Sequence, residues 1–327
     1  MTNLSDNFIT MQNSEYHAHN ALGSSDVRKL MVSPLHLKGK EETSVRPPHF
    51  TFGSAVHSAY LEPDRFATEY RAKPAEVDGQ GPRTKAYREW MDAQPPVEWL
   101  KQEDYDKTLK CVESALAHPI SNELFKGEMI VEGSLFFKKW GVDCKARPDL
   151  VSCGLNGVTV LDLKTTTDAS PAGFAKSVGN LGYHIQEWFY RGALTALGMD
   201  VQRFIFLCVE KTPPYACAAY TIRKSHVQQA CEPVRKALQS YKTAIETDVW
   251  DGYSTEVINI GVPRWALPET NGFMSANWLD VKSCMKEFGI SRATIYNWIN
   301  SKTVAVETKK VGGRRYLSAK DLGRLRG

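Results

Sequence analysis

Long apolar runs are missing from this chain of 327 residues, and so is any stretch that resembles a secretion signal. A helix that spans a bilayer needs about 20 consecutive apolar residues, and no such run occurs. The N-terminal sequence MTNLSDNFITMQNSEYHAHN is polar and has no basic segment followed by an apolar one. We therefore expect a cytoplasmic protein with no membrane partner.

Cysteine pairs at metal-binding spacing are also missing. The seven cysteines are odd in number and scattered, and no C-x-x-C pair occurs. This pattern argues against a disulfide framework and a zinc site. It also argues against an iron–sulfur cluster, for which about four thiolates must converge. No G-x-x-x-x-G-K-[ST] loop occurs either, so ATP is not expected as a cofactor.

The charge of the chain is distributed unevenly. Residues 274–327 contain 11 Lys/Arg against 4 Asp/Glu, whereas residues 1–273 contain 30 Lys/Arg against 33 Asp/Glu. A compact basic segment on a nearly neutral body predicts an anionic partner for that segment, nucleic acid above all. A basic solvated face without such a partner is the alternative.

Turn residues and hydrophobic periodicity divide the chain into four parts. We expect a flexible N-terminus at 1–20, a large domain at 21–247, a linker with several Gly and Pro at 248–273, and a small domain at 274–327. In the large domain, helices precede three strands, and a helix, two strands and a final helix follow. The predicted strand runs are 129–140, 142–151, 158–164, 203–209 and 216–222. This order predicts an α/β fold in which helices flank a mixed sheet.

The segment KARPDLVSCGLNGVTVLDLKTTT, residues 145–167, carries the most informative set of polar residues. Asp149 ends one predicted strand, and Asp162 and Lys164 lie two apart on the next strand of an apparent hairpin. Since side chains alternate along a strand, Asp162 and Lys164 share one face while Leu161 and Leu163 point into the core. The carboxylates could bind Mg²⁺, which lowers the pKa of an attacking water, and the ammonium could orient that water or stabilise charge on a phosphate. A solvated or salt-bridged Asp–Lys pair is the alternative.

These residues resemble the core of the PD-(D/E)XK nuclease superfamily, in its RecB/RecE/lambda-exonuclease branch. The R-P-D that ends at Asp149 and the L-D-L-K-T that contains Asp162 and Lys164 match that core. Upstream, FGSAVHSAYLEP (52–63) is similar to the G-x-x-x-H helix of the branch, and downstream YHIQEWFY (183–190) resembles its Q-x-x-x-Y helix. Together the motifs are most similar to RecE-type phage exonucleases, which are exonuclease VIII-like.

The resemblance implies a restriction-endonuclease-like core with a specific catalytic set. Asp149, Asp162 and the backbone carbonyl of Leu163 would bind one or two Mg²⁺ ions, with Mn²⁺ as a substitute. Lys164 would be the catalytic ammonium. His57 would be an additional metal ligand or a close neighbour of the metal, although a histidine on a helix of small residues can also be a satisfied interior group.

The resemblance also implies residues that contact DNA or support the site. Gln186 and Tyr190 lie one helical turn apart and would face the active site and the DNA backbone, with core packing as the alternative. Arg147, like its neighbour Lys145, could touch a phosphate or sit exposed on a strand. Glu132 matches a glutamate common in the RecE-like group and would support the site or lie on the surface.

The activity implied by the resemblance is digestion of double-stranded DNA ends. RecE-like enzymes degrade linear duplex DNA from its 5′ ends, leave 3′ single strands and use no ATP. Phage-type homologous recombination by strand annealing, a RecT/Beta-type single-strand annealing protein as partner and a ring-shaped homo-oligomer follow from the same resemblance. An endonuclease sited by the C-terminal domain and a non-catalytic DNA-binding regulator are the alternatives.

The basic segment 274–327 predicts a helix-turn-helix followed by a hairpin with a Gly312-Gly313 turn. This pattern is similar to the winged DNA-binding domains of excisionases and MerR-type proteins. By that likeness, one set of residues would face the major groove: Ser291, Arg292, Thr294, Tyr296 and Asn297. A second set would hold phosphates: Lys309, Lys310, Arg314 and Arg315. A small helical module for protein contacts is the alternative.

Overall fold

The computed structural model describes residues 7–39, 48–81, 83–154, 157–263, 278–301, 306–311 and 314–325. It contains two compact units, Met1–Tyr253 and Ser254–Gly327. The helices of the first unit are α1 (Asn13–Ala18), α2 (Ser24–Leu30), α3 (Pro34–Lys38), α4 (Pro48–Leu61), α5 (Pro63–Glu69), α6 (Ala75–Asp78), α7 (Lys85–Asp92), α8 (Gln102–Ala117), α9 (Pro119–Leu124), α10 (Pro171–Leu181), α11 (Tyr183–Ala196), α12 (Lys224–Gln228) and α13 (Cys231–Thr247). Its strands are β1 (Tyr70–Ala72), β2 (Glu98–Leu100), β3 (Glu128–Val131), β4 (Leu135–Lys139), β5 (Val142–Ala146), β6 (Leu150–Gly154), β7 (Gly157–Thr166), β8 (Val201–Glu210) and β9 (Cys217–Tyr220).

A five-stranded sheet in the order β3-β6-β7-β8-β9 forms the centre of the first unit. The β7–β8 pair is parallel and the other pairs are antiparallel. One core cluster joins Val160 of β7 to helices α11 and α13, and the other joins Leu161 and Leu163 to helices α4 and α8. Strand β7 is buried at every position from Val158 to Leu163 because both faces of the sheet are covered. The prediction of a mixed sheet flanked by helices is confirmed.

Two of the predicted strand runs are each divided between two sheets. The run 129–140 splits into β3 and β4, and the run 142–151 splits into β5 and β6. Strands β4 and β5 pair with each other in a separate two-stranded hairpin. The first break has Glu132 at φ +50°, and the second contains Pro148, which has no N–H to give to a strand ladder. Each break contains an acidic residue, Glu132 in the first and Asp149 in the second.

The N-terminal segment differs from the expected flexible tail. Residues 1–6 lie outside the described part, but Ile9 bridges to Ser134 and Leu22 bridges to Cys144. Between these bridges, helix α1 buries Tyr16. The physical reason is a set of buried cations on β5 and just after it, described below, which bind the carbonyl groups of this segment.

The second unit contains β10 (Trp278–Asp280), α14 (Val281–Phe288), α15 (Arg292–Asn300), β11 (Thr308–Val311), β12 (Arg314–Ser318) and α16 (Ala319–Arg324). Its sheet has the order β10-β12-β11, and its core contains Cys284, Ile295 and Leu317. Helix α15 begins at the cap Ser291, whose hydroxyl accepts a hydrogen bond from the Thr294 N–H. The predicted Gly312-Gly313 turn lies outside the described residues.

No helix among the described residues combines the length and the apolar character that crossing a bilayer requires.

Candidate active site

Three neighbouring strands bring three carboxylates side by side, because Glu132 follows β3, Asp149 precedes β6 and Asp162 lies within β7. Leu150 of β6 pairs with Leu161 of β7, so antiparallel register puts Asp149 next to Asp162. On the other side of β6, the Glu132 N–H donates to the carbonyl of Asp149 at 3.0 Å. Because β3 leaves the sheet at Glu132, its side chain can turn toward Asp149.

A metal-type cluster forms from His57, Glu132 and Asp149. One ligand atom of each residue lies within 4.8 Å of the corresponding atoms of the other two. His57 comes from helix α4, and its Nδ1 lies 3.3 Å from Oδ2 of Asp149. Two carboxylate oxygens and one imidazole nitrogen are donors that a divalent cation accepts. Asp162 is not part of this group. Glu132, which the resemblance implies only as a supporting residue, belongs to it.

Asp162 forms the centre of a second set of contacts. Its side chain is fully buried, one oxygen is paired with the Lys164 ammonium, and the other accepts a hydrogen bond from Nε2 of Gln186 at 2.8 Å. The ammonium also lies 4.7 Å from the centroid of the Tyr183 ring. Helix α11 supplies both Tyr183 and Gln186, and it begins directly after Gly182, whose φ of +66° lets the chain change direction after α10. The structure therefore brings Asp162, Lys164 and Gln186 together.

The backbone of Leu163 connects the two sets. Its N–H donates to Oδ2 of Asp149 at 2.6 Å. This contact holds the Asp149 carboxylate against β7. Whether the Leu163 carbonyl binds a metal stays a prediction from the resemblance.

Burial and mutual repulsion change the acidity of these groups. Burial raises the pKa of Asp149 to about 6 and that of Asp162 to about 6. Burial and then the nearby Asp149 carboxyl raise the pKa of Glu132. Burial and the Lys164 charge lower the pKa of His57 to about 4, so its imidazole is neutral and able to bind a metal near neutral pH.

Lys164 keeps its charge in these surroundings. Burial would lower the pKa of its ammonium, but Asp162 and Asp149 more than offset that effect and the pKa is raised. Three carboxyl groups therefore share one site with few positive charges. A bound divalent cation would neutralise the excess negative charge, so the residues fit such an ion.

An open cleft of about 470 Å³ reaches this site. Its lining includes His57 of α4, Lys164 of β7 and Gln186 of α11, and on the other side Tyr16 of α1 and Arg28 of α2. Tyr190 also lines the cleft, although its side chain is buried.

Arg147 does not lie where the predicted phosphate contact requires. Its side chain is buried and donates to Oγ of Ser134 at 2.7 Å and 2.9 Å, to the Met11 carbonyl at 3.1 Å and to Oδ1 of Asn13 at 3.3 Å. Lys145 is also buried, and its ammonium donates to the carbonyl of Tyr16 at 2.6 Å. Both cations hold the N-terminal segment, because buried carbonyl groups there need donors. The expectation for Arg147 is corrected accordingly.

The predicted DNA contacts of the small domain lie in the second unit. Ser291, Arg292, Tyr296 and Asn297 are exposed on or beside α15, and the Arg292 guanidinium lies 5.8 Å from the centroid of the Tyr296 ring. Thr294 is half-buried, and its hydroxyl lies 2.8 Å from that of Ser291. The remaining predicted cations, which lie on β11 and β12, are Lys309, Lys310, Arg314 and Arg315. Of these four, the structure describes only the side chain of Arg315.

The fold and the site define an α/β protein of the PD-(D/E)XK type. The chain belongs to the family described as PDDEXK-like domain of unknown function (DUF3799), whose model matches residues 23–260. This match confirms the coarser part of the resemblance seen in the sequence. No curated protein sequence matches the chain.

Two of the solved structures that are similar to this chain are described as exonucleases. One is a protein from Eubacterium rectale that is provisionally named an exonuclease; it has a TM-score of 0.52 and 13% identity, with 78% of this chain and 97% of that chain covered. The other is a phage-related exonuclease from Haemophilus somnus 129PT, with a TM-score of 0.31, 11% identity and coverage of 72% and 100%. The first supports the fold alone, and the second is too distant to carry an argument.

Proposed function

We propose that this protein is a Mg²⁺-dependent nuclease that digests linear duplex DNA from its 5′ ends and leaves 3′ single-stranded overhangs. The observation that carries the proposal is the cluster of His57, Glu132 and Asp149, with ligand atoms within 4.8 Å of one another, beside the Asp162–Lys164 pair. Hydrolysis of a phosphodiester needs a divalent ion and a nearby positive charge, and this set provides for both. Membership of a PDDEXK-like family supports a nuclease.

Each residue has a role that its contacts support. His57, Glu132 and Asp149 would hold the ion, with Asp162 next to Asp149 as a further acidic group. The bound ion would lower the pKa of the attacking water and shield charge on the phosphate. Lys164 stays protonated and would stabilise charge on a phosphate oxygen that enters the cleft.

Several residues would position this machinery rather than take part in the reaction. Gln186 holds Asp162 through a bond of 2.8 Å, so that Asp162 faces the Lys164 ammonium. Tyr190, one helical turn after Gln186 and in the same cleft lining, would keep the amide in place. The Leu163 N–H fixes the Asp149 carboxylate.

The second unit would bind DNA as an excisionase- or MerR-like winged helix-turn-helix. Its support is the basic composition of residues 274–327, the consecutive helices α14 and α15, and the β11–β12 pair that follows them. The exposed side chains at the start of α15 include groups suited to base edges and phosphates. A role in phage-type recombination, an annealing partner of the RecT/Beta type, a ring-shaped homo-oligomer and a cytoplasmic location belong to this proposal through the RecE-like motifs.

Digestion of end-labelled DNA tests the proposal. Linear duplex labelled at either the 5′ or the 3′ end and covalently closed plasmid would be incubated with Mg²⁺, Mn²⁺ or a chelator. We expect metal-dependent loss of linear duplex, early release of the 5′ label, an intact closed circle, and no activity in Asp149→Asn. The matched control is Asp143→Asn, because Asp143 is an exposed aspartate on the preceding strand β5.

Each other outcome would point to a different function. Nicking of the closed circle would replace the exonuclease by an endonuclease. Early release of the 3′ label would reverse the polarity. Binding of DNA with no digestion under any metal condition would favour the non-catalytic regulator, and undiminished digestion by Asp149→Asn would refute the site.

A further inference from the structure

The β4–β5 hairpin carries a tryptophan where its backbone does not favour one. Trp140 and Gly141 form the turn, with φ of +49° and +83°. A turn with positive φ at both central residues suits Asn-Gly, Asp-Gly or Gly-Gly, and a bulky residue there is strained. Turn stability therefore does not account for Trp140.

Aromatic and cationic groups surround this turn. Trp140 is 40% exposed, and its ring stacks on that of Trp188 from α11 at a centroid distance of 5.8 Å and an interplanar angle of 20°. The Lys139 ammonium lies 5.0 Å and 5.1 Å from the two ring centroids. On the other side, Nζ of Lys242 lies 3.6 Å from the position that a Cβ atom at Gly141 would take. Among the described residues, neither lysine is in an ion pair with a carboxylate.

Helix α11 separates this group from the active-site cleft. Gln186 faces the cleft and holds Asp162, whereas Trp188 lies two residues further along. Two residues correspond to a rotation of about 200° around a helix, so the two side chains point to opposite sides of α11. A nuclease that digests one strand of a duplex leaves unpaired bases on the other, and these need a path away from the cleft.

We infer that Trp140, Lys139 and Trp188 form a stacking platform for an unpaired base of single-stranded DNA, with Lys242 beside the adjoining phosphate. The inference rests on the proposed nuclease function for the choice of strand. Every base has a π-face, so the platform would accept any sequence. Two ammonium groups that form no ion pair with a described carboxylate complement the phosphates on either side of the base.

Trp140→Asn separates this role from a purely structural one. Asparagine suits the turn better than tryptophan, so the relief of backbone strain offsets the lost ring contact and the thermal midpoint should change little. The stacking surface is nevertheless removed. Trp140→Tyr keeps an aromatic face and is the conservative partner, and Tyr253→Asn removes a still more exposed aromatic ring elsewhere in the first unit.

Binding would be measured by fluorescence anisotropy in full-length Asp149→Asn protein with a chelator, so that no DNA is digested. The probes are a labelled oligo-dT of roughly 16 nucleotides and a duplex of the same length. We expect Trp140→Asn to lose about tenfold or more in oligo-dT affinity, because a stacked base contributes about that much. Trp140→Tyr and Tyr253→Asn should stay close to the parent, and duplex binding should be unchanged.

Oligo-dT binding by Trp140→Asn at the parental affinity would overturn the inference. An equal loss for oligo-dT and duplex, or an equal loss in Tyr253→Asn, would also overturn it. The nuclease proposal is judged by digestion of labelled duplex with unsubstituted Asp149. Either proposal can therefore fail while the other stands.

Discussion

Replacing Glu132 by glutamine should have opposite effects on the metal-free and the metal-bound protein. In the metal-free protein, Glu132 is a largely buried carboxyl beside Asp149, and their repulsion destabilises the fold. Glutamine keeps the shape and the main-chain bond to Asp149 but carries no charge. The same change removes one oxygen ligand from the cluster, so the variant should be more stable without metal and respond less to metal.

The size of the effect follows from the acidity of Glu132. Its pKa is raised from 4.5 to about 8, by burial first and Asp149 second. A difference of this size corresponds to at most about 5 kcal/mol when Glu132 is ionised. Because Glu132 and Asp149 share the proton and Arg147 lies nearby, we expect about 1–2 kcal/mol, or a thermal midpoint higher by about 2–8 °C.

The size of this effect depends on pH. A carboxyl whose pKa is raised by folding contributes stability that is fully present below pH 4.5 and is lost as pH rises through about 8. Glutamine does not titrate, so its advantage should be clear at pH 8.5 and vanish near pH 4.5. At a Mg²⁺ concentration of about 100 times Kd, the parent should gain about 3 kcal/mol, and Glu132→Gln much less.

Thermal unfolding at two pH values, with and without Mg²⁺ or Mn²⁺, provides the measurement. Glu128→Gln is the matched control, because Glu128 is exposed on the same strand β3. A lower midpoint for Glu132→Gln in chelator at pH 8.5 would contradict the predicted repulsion. A metal response as large as that of the parent would show that Glu132 does not bind the ion.

Three further predictions concern the same site and its supports. Asp162→Asn leaves the Lys164 ammonium without its buried carboxylate partner. We expect digestion to fall by about 100-fold or more while DNA binding is retained. A smaller loss of digestion would refute a catalytic role for Asp162. Arg147→Met removes hydrogen bonds that hold the N-terminal segment and should destabilise the protein by about 3 kcal/mol or more. Proteolysis of that segment should become faster. An unchanged thermal midpoint would contradict the role of Arg147 in holding the N-terminal segment. Because the pKa of Asp149 is raised to about 6, the Mg²⁺ concentration at half-maximal thermal shift should fall as pH rises from 5 to 8, and a constant midpoint would contradict competition between proton and metal.

Short-range patterns predict the hairpin that carries the acids. Alternation along the β7 sequence puts Asp162 and Lys164 on one face, and the structure pairs them there. The relation between Asp162 and Lys164 depends on residues two apart on one strand, and hydrophobic periodicity records such relations. The position of Gln186 is implied by the family resemblance and not by periodicity, and the structure shows its bond to Asp162.

Long-range docking leaves no such record in the sequence. Lys145 reads as an exposed strand lysine, yet its ammonium binds a carbonyl 129 residues earlier in the chain. The role of Glu132 depends on an apolar run dividing between two sheets, at a φ of +50° that only a few per cent of residues other than glycine adopt. The Glu-Gly pair at 132–133 within that run is the local signal from which the break could be inferred.

The ladder that aligns the acids also makes the site costly to the fold. Register across β3, β6 and β7 puts Glu132, Asp149 and Asp162 in adjacent positions, and burial then opposes the ionisation of each. Lys164 compensates Asp162 directly, whereas Glu132 and Asp149 share no comparable partner at hydrogen-bond distance among the described cations. The uncompensated negative charge therefore lies on Glu132 and Asp149, the two carboxyl groups beside His57. A bound cation would neutralise this charge and remove the repulsion that destabilises the metal-free fold, and the removal of that repulsion would favour binding of the ion.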